Sequence, residues 1–180
     1  MKTMIDAQSY GKALFELAQE NKNDAQVRDE LKLVCRLLRQ NPEYITLMDT
    51  PAVPAREKYT LLQAAFGELD DMLRNFLSIL CDKRSFYRLN ACAAAFFTAY
   101  DEAHDILRAT AITAVEMKQT QCDTLRRKLS ELTGKHIELT NRVDPAVLGG
   151  VTLRYAGVQI DDSIQARLDT LRRALAETIV

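Results

Sequence analysis

Chemistry at neutral pH draws on imidazoles, thiols, paired carboxylates or glycine-rich loops, and this chain holds few of each. Its two histidines, His104 and His136, stand apart. His104 falls at the end of a helical pattern and His136 at the start of an alternating one. A solvated or capping imidazole suits both positions better than a catalytic one. The four cysteines, Cys35, Cys81, Cys92 and Cys122, form no CxxC pair, and none lies beside a histidine. Zinc sites bring their ligands closer in sequence, so these thiols are expected to be reduced and packed as small hydrophobes. No metal and no cofactor is expected.

The acidic pairs Asp70-Asp71 and Asp161-Asp162 fall where helices should begin, and capping and the helix dipole account for them without a cation. Gly149-Gly150 is the one adjacent glycine pair. A phosphate loop would lead into a helix. Here Val151, Leu153 and Tyr155 follow with strand alternation, so the pair reads as a strand entry needing positive φ or close backbone approach. Arg126-Arg127-Lys128 shares a helical stretch with Glu131 and reads as a solvated face. With no nucleophile beside a base, the chain is not read as an enzyme.

Composition narrows the remaining classes. In 180 residues, 24 basic side chains meet 25 acidic ones, 47% of positions are hydrophobic and 27% charged. That is the profile of a soluble globular protein, and a balanced charge counts against nucleic-acid binding. The longest nearly apolar run, Ala91–Tyr100, is well short of the ~20 residues that cross a bilayer. The N-terminus, with Asp6 and Glu16, shows neither a signal nor a transit pattern. Any work at a membrane is expected to go through partners, without direct insertion.

The elements follow from periodicity. Tyr10, Ala13, Leu14, Leu17 and Ala18 recur at helical spacing, with Asp6 or Ser9 as the cap. Val27, Leu31, Val34, Cys35 and Leu38 mark a second helix, stopped at Asn41-Pro42, where proline opens a short third. A fourth, after Pro51 and Pro54, carries Tyr59, Leu62, Ala65 and Phe66, and Gly67 is expected to end it in the left-handed region. A fifth begins near Leu69 with Leu73, Phe76, Leu77 and Leu80 on one face. The sixth runs from about Phe86 to His104 with Leu89, Ala93, Phe96 and Tyr100. From residue 107 the period changes. Arg108–Met117 reads as a strand, Thr120–Leu132 as a helix ended by Gly134, and His136–Val143 as a strand. Gly149–Tyr155 and Val158–Ile160 read as a hairpin around Ala156-Gly157. A last helix, capped by Asp161, Asp162 or Ser163, carries Ile164, Leu168, Leu171 and Leu175. The fold class expected is α+β: an N-terminal six-helix bundle over 1–106 and a small α/β domain over 107–180.

One stretch is more specific than periodicity. In Ile137–Arg154, alternating apolar residues lead into Val143-Asp144-Pro145, then Gly149-Gly150-Val151 with alternation resumed. This segment resembles the signature region of the delta subunit of F-type ATP synthases, the family of the mitochondrial oligomycin-sensitivity-conferring protein. Val158–Ser163, followed by Arg167, Leu168 and Leu171, is similar to the closing segment of that family, with Asp162 where glycine is usual. Tyr10–Ala18 is similar to its first helix, with Gly11 where alanine is common. Asn75-Phe76-Leu77 with Arg84 and Leu89 is similar to its fifth-helix region.

The resemblance implies a non-catalytic stator subunit that links the catalytic head of a proton-translocating ATP synthase to its peripheral stalk and resists rotor torque. It implies that the helical domain receives the N-terminal helix of a head alpha subunit between its first and fifth helices, at Tyr10, Ala13, Leu14, Leu17, Phe76, Leu77 and Leu80. Leu14 is the expected anchor, replaceable by Asp with loss of binding but not of helix. The second domain is implied to meet the stalk b subunits through Ile164, Leu168, Leu171 and Leu175, with Ile179. The implied location is the cytoplasmic face of a bacterial plasma membrane, peripheral through partner subunits. Two other classes remain: a helical enzyme or regulator with a small ligand in the α/β domain, and a nucleic-acid adaptor. The first lacks a cluster of convergent polar groups, and the second would weaken steeply with salt.

Overall fold

The computed structural model describes residues 2–147, 149–155 and 157–161. The chain divides into two units, Met1–Glu102 and Ala103–Val180, and combines helices with a four-stranded sheet. The first unit contains α1 (Lys2–Glu20), α2 (Asp24–Gln40), α3 (Pro42–Asp49), α4 (Ala55–Phe66), α5 (Asp71–Asp82), a 3₁₀ turn (Phe86–Arg88) and α6 (Leu89–Ala103, whose last residue opens the second unit). The second adds β1 (Ile106–Thr113), α7 (Gln119–Thr133), β2 (His136–Val143), β3 (Val151–Tyr155) and β4 (Val158–Asp161). The expected last helix, with Ile164, Leu168, Leu171, Leu175 and Ile179, lies outside the described residues.

The helical core forms where the apolar stripes meet. Val27, Leu31, Val34 and Leu38 of α2 are all buried, as are Leu73, Phe76, Leu77 and Leu80 of α5. Phe15 of α1 meets Phe96 edge-on at 5.7 Å and Tyr100 at 6.3 Å between ring centroids. Each such pair contributes roughly 0.5–1.5 kcal/mol beyond its buried area. Gly11 sets how deep α1 sits. A Cβ there would lie 2.2 Å from the carbonyl oxygen of Cys92 and 2.6 Å from Cβ of Ala95. Only glycine lets the α1 and α6 backbones approach this closely.

Polar groups fix the short elements. The carboxylate of Asp49 accepts from Phe86 N at 2.8 Å and from Tyr87 N at 2.9 Å, tying the end of α3 to the 3₁₀ turn. Lys58, buried in α4, donates from Nζ to Met48 O at 2.6 Å. Asp70 caps α5, accepting from Met72 N at 2.9 Å, while Asn23 Nδ2 donates to its other oxygen at 2.8 Å.

Helix ends depart from expectation. α1 begins before Asp6 and Ser9, which lie within it, so neither is its cap. Gly67 stays right-handed at φ −65°, and its carbonyl accepts from Arg74 Nη1 at 2.8 Å. The left-handed positions fall instead on Lys22, Arg84 and Asp105, after α1, α5 and α6. At the end of α5, Ser85 N donates to Leu80 O at 2.9 Å, which satisfies an otherwise orphaned carbonyl.

In the second unit the strand order is β2-β1-β3-β4, with β1 parallel to β2 and the other pairs antiparallel. β1 runs Ile106–Thr113, earlier than the expected Arg108–Met117. The chain leaves the sheet after Thr113 because Asn141 captures it. The Asn141 side chain donates to Ala111 O at 3.1 Å and to Thr113 Oγ1 at 2.8 Å. Its Oδ1 accepts from Met117 N at 2.9 Å. Ala109, Ala111, Ile137 and Leu153 of the sheet pack with Leu129 of α7. Asp144 then accepts from Ala146 N at 3.0 Å across Pro145, and Gly149 and Gly150 enter β3 at φ 153° and 87°. Asp161 ends β4, and the helix it was expected to cap lies outside the described residues.

Cys81 and Cys92 are buried, whereas Cys35 and Cys122 are half-buried. Burial pushes the Cys92 thiol up to about 11, Arg88 opposing. Burial also raises Cys35 and Cys81. Thiolate is the reactive form, so these thiols are poor nucleophiles.

Two outcomes follow from this packing. Gly11→Ala gains up to about 1 kcal/mol of helix propensity but forces two backbones apart, and overpacking costs typically 1–3 kcal/mol. Thermal denaturation should show a lowered midpoint. Iodoacetamide at pH 9 should label Cys92 roughly fifty-fold more slowly in the folded protein than an exposed thiol, because little of it is thiolate. Mass spectrometry should find that urea removes the protection.

Candidate functional site

The seven helical positions singled out from the sequence separate into two layers. Leu14, Phe76, Leu77 and Leu80 are buried, Leu14 at 3% exposure and Leu77 at 0%. Tyr10 is half-buried, Ala13 is exposed, and Leu17 is 50% exposed. The inner four belong to the core between α1 and α5. The outer three sit at three- and four-residue spacing along one flank of α1.

Two contacts show which neighbour that flank faces. Lys83 Nζ lies over the Tyr10 ring at 5.8 Å from its centroid. Asn23, just past the other end of α1, bonds to Asp70 at the start of α5. The two contacts are equally spaced along both helices, so α1 and α5 run antiparallel. The flank with Tyr10, Ala13 and Leu17 therefore borders α5.

The facing flank of α5 was missed by the sequence reading. Ile79 lies one turn before Lys83 on the same side and is 45% exposed. Met72, half-buried, lies two turns before Ile79. The buried stripe of α5 is complete without either of them. They are surplus apolar residues, and that surplus is a signal readable in the sequence. Together Tyr10, Ala13, Leu17, Met72 and Ile79 make an apolar strip about two turns long, or ~10 Å. The strip holds no nucleophile, general base or metal-ligand set. It can bury apolar surface, and Lys83 at one end can meet a carboxylate.

Elsewhere the side chains that opened the sequence reading are engaged locally. Arg126 pairs with Asp123 at 2.6 Å and Arg127 with Glu131 at 3.9 Å on α7. Asp70 serves as a cap, and Asp71 pairs with Arg74. Among the described residues, no group of three or more His, Cys, Asp or Glu could hold a metal ion. No described helix is long and apolar enough to cross a membrane. The proposed stalk-facing residues Ile164, Leu168, Leu171 and Leu175 lie outside the described residues.

The fold and its sequence both have known counterparts. A chain in a mitochondrial ATP synthase hexamer structure from Toxoplasma gondii superposes with a TM-score of 0.73, covering 94% of this chain and 97% of that one at 21% identity. At that identity the likeness is one of fold. Closer in sequence is the ATP synthase subunit delta of Lactobacillus johnsonii, 31% identical over 172 residues and covering 95% of this chain and 94% of its own length. The subunit of the same name from Desulforudis audaxviator is 32% identical over 175 residues, covering 97% of this chain and 96% of its own. A sequence model of the ATP synthase delta (OSCP) subunit matches residues 7–175. The chain belongs to the ATP synthase delta (OSCP) subunit family.

Proposed function

We propose that this protein is a non-catalytic stator subunit that joins the catalytic head of a proton-translocating ATP synthase to its peripheral stalk and resists rotor torque. Family membership supports the reading, and the observation that carries it furthest is the bare apolar strip between α1 and α5. Holding two bodies together under load needs interfaces and no reacting groups. In this reading the first unit works as one six-helix bundle that grips the head. The second unit grips the stalk, and the protein is held at the cytoplasmic face of the membrane only through its partners.

The strip fits helix-in-groove recognition, in which an amphipathic helix lays its apolar face into a groove. The occupant in this reading is the N-terminal helix of a head alpha subunit. Tyr10, Leu17 and Ile79 are its anchors, Ala13 permits close approach, and Leu14, Phe76, Leu77 and Leu80 support the groove from beneath. Three anchors burying roughly 1.5–3 kcal/mol each give about 5–9 kcal/mol before the ordering costs of association. The stalk b subunits meet the second unit, with Ile164, Leu168, Leu171 and Leu175 as their contacts.

Leu14 is the wrong residue with which to test the groove. At 3% exposure, a carboxylate there would be buried unpaired and would unfold the unit. Leu17→Asp is the informative variant. Titration calorimetry with an alpha-subunit N-terminal peptide should show binding weakened by at least about thirty-fold, with helical circular dichroism unchanged. Unaltered affinity in both Leu17→Asp and Ile79→Asp would place the peptide elsewhere. For the second unit, Leu168→Asp should reduce capture of the b subunits and leave capture of the head intact. Loss of both together would argue against two separate grips.

A further inference from the structure

The helical unit carries a second apolar recess, none of whose lining residues comes from α1 or α5. Leu37 and Leu38 of α2, Tyr44 and Leu47 of α3, and Ala65 and Phe66 of α4 wall a volume of about 740 Å³. Leu33, one turn before Leu37, and Leu61, one turn before Ala65, are both exposed and continue the apolar walls. An apolar ladder on each side, about one and a half turns long, matches the stripe of a helix better than it matches a compact small molecule.

The floor is aromatic. Tyr44 stacks edge-on against Phe66 at 5.9 Å and lies 6.1 Å from Phe86, yet its buried hydroxyl has no partner. A buried hydroxyl left unpaired is costly. Burial pushes this phenol up to about 12, with the neighbouring Cys81 adding to it, so it stays neutral across the physiological range.

The rim has a sign. Glu43 is the one charged residue in the lining, and no lysine or arginine lines it. Glu57 lies one turn before Leu61 on α4, and Glu68 follows Ala65 by three positions; both are exposed. At 100° per residue, Lys32 and Arg39 of α2 fall on the far side of that helix from Leu33 and Leu37, and Arg36 on its outer surface.

We propose that this recess is a docking site for a basic amphipathic helix of a partner protein. Such a helix carries large apolar residues at three- and four-residue spacing, flanked by lysine or arginine. Its apolar stripe lies between Leu37 and Ala65, and its cations meet Glu43, Glu57 and Glu68. This site is separate from the α1–α5 strip and does not depend on the reading given to that strip.

The probe is a designed peptide of leucine and lysine at helical spacing, compared with a counterpart carrying glutamate for lysine. Both are titrated into the isotope-labelled full-length protein. The lysine peptide should shift the amides around Leu37, Tyr44, Leu47 and Ala65. It should bind about tenfold more weakly to Leu37→Lys and to Leu47→Lys, two exposed positions whose replacement spares the core, and unchanged to Leu17→Asp. Equal binding of the glutamate peptide, shifts centred on Tyr10 to Leu17, or no binding would overturn the proposal. So would self-association of the unliganded protein that Leu37→Lys abolishes, since the recess would then belong to a second copy.

Discussion

The close approach of α1 to α6 at Gly11 governs how the helical unit is arranged. With the Cys92 carbonyl 2.2 Å from where a side chain would begin, α1 is pressed onto α6 along one line. Phe15 and Ala18 are buried beside it, and α5 closes over Leu14. On the neighbouring flank Ala13 and Leu17 stay exposed, and Tyr10 is half-buried beneath Lys83. A helix apolar over a wide arc has been buried over a narrow one. The remainder is left at the surface as a strip continuous with the core, so a ligand seated there would extend an existing packed interior.

The second unit rests on a different device. Its identifying segment, Ile137–Arg154, is a sequence of backbone requirements met in order. Ile137 fills the core against α7, and Asn141 pulls the end of β1 out of the sheet through three hydrogen bonds. Asp144 and Pro145 form the turn, and Gly150 accepts a positive φ that a side chain would resist. Each of these residues is explained by the sheet and its turn. The stretch that carries the family resemblance is therefore largely architecture, and the surfaces proposed to work lie elsewhere.

Much of this was legible beforehand, and the misses share a cause. Buried stripes such as Val27-Leu31-Val34-Leu38 follow from helical period alone, since one face must leave water. Gly134 sits at φ 69° and ends α7 as its type foretells. The helix ends at Lys22, Arg84 and Asp105 were invisible because none is glycine; local bonds from Asn23 N to Ala18 O and from Ser85 N to Leu80 O close the first two, and His136 N donates to Asp105 O at the third. In the site, residue type could not separate Leu14 from Leu17, three positions apart on the same helix. Their burial differs because of which neighbours α1 meets, and that is a fact about other helices. Ile79 was overlooked for the converse reason, as an apolar residue outside a stripe already complete without it.

Gly11 also bears on how freely parts of this protein could be exchanged with those of its relatives. The family that this first helix resembles is expected to carry alanine at this place. A first helix taken from such a relative would bring a methyl group to where the Cys92 carbonyl now stands, and α6 would have to back away. The gap between α1 and α5 would change with it, because α1 is held between the two. At Gly11 the first and sixth helices are thus fitted to each other, and a first helix with a side chain there would need an α6 that makes room for it.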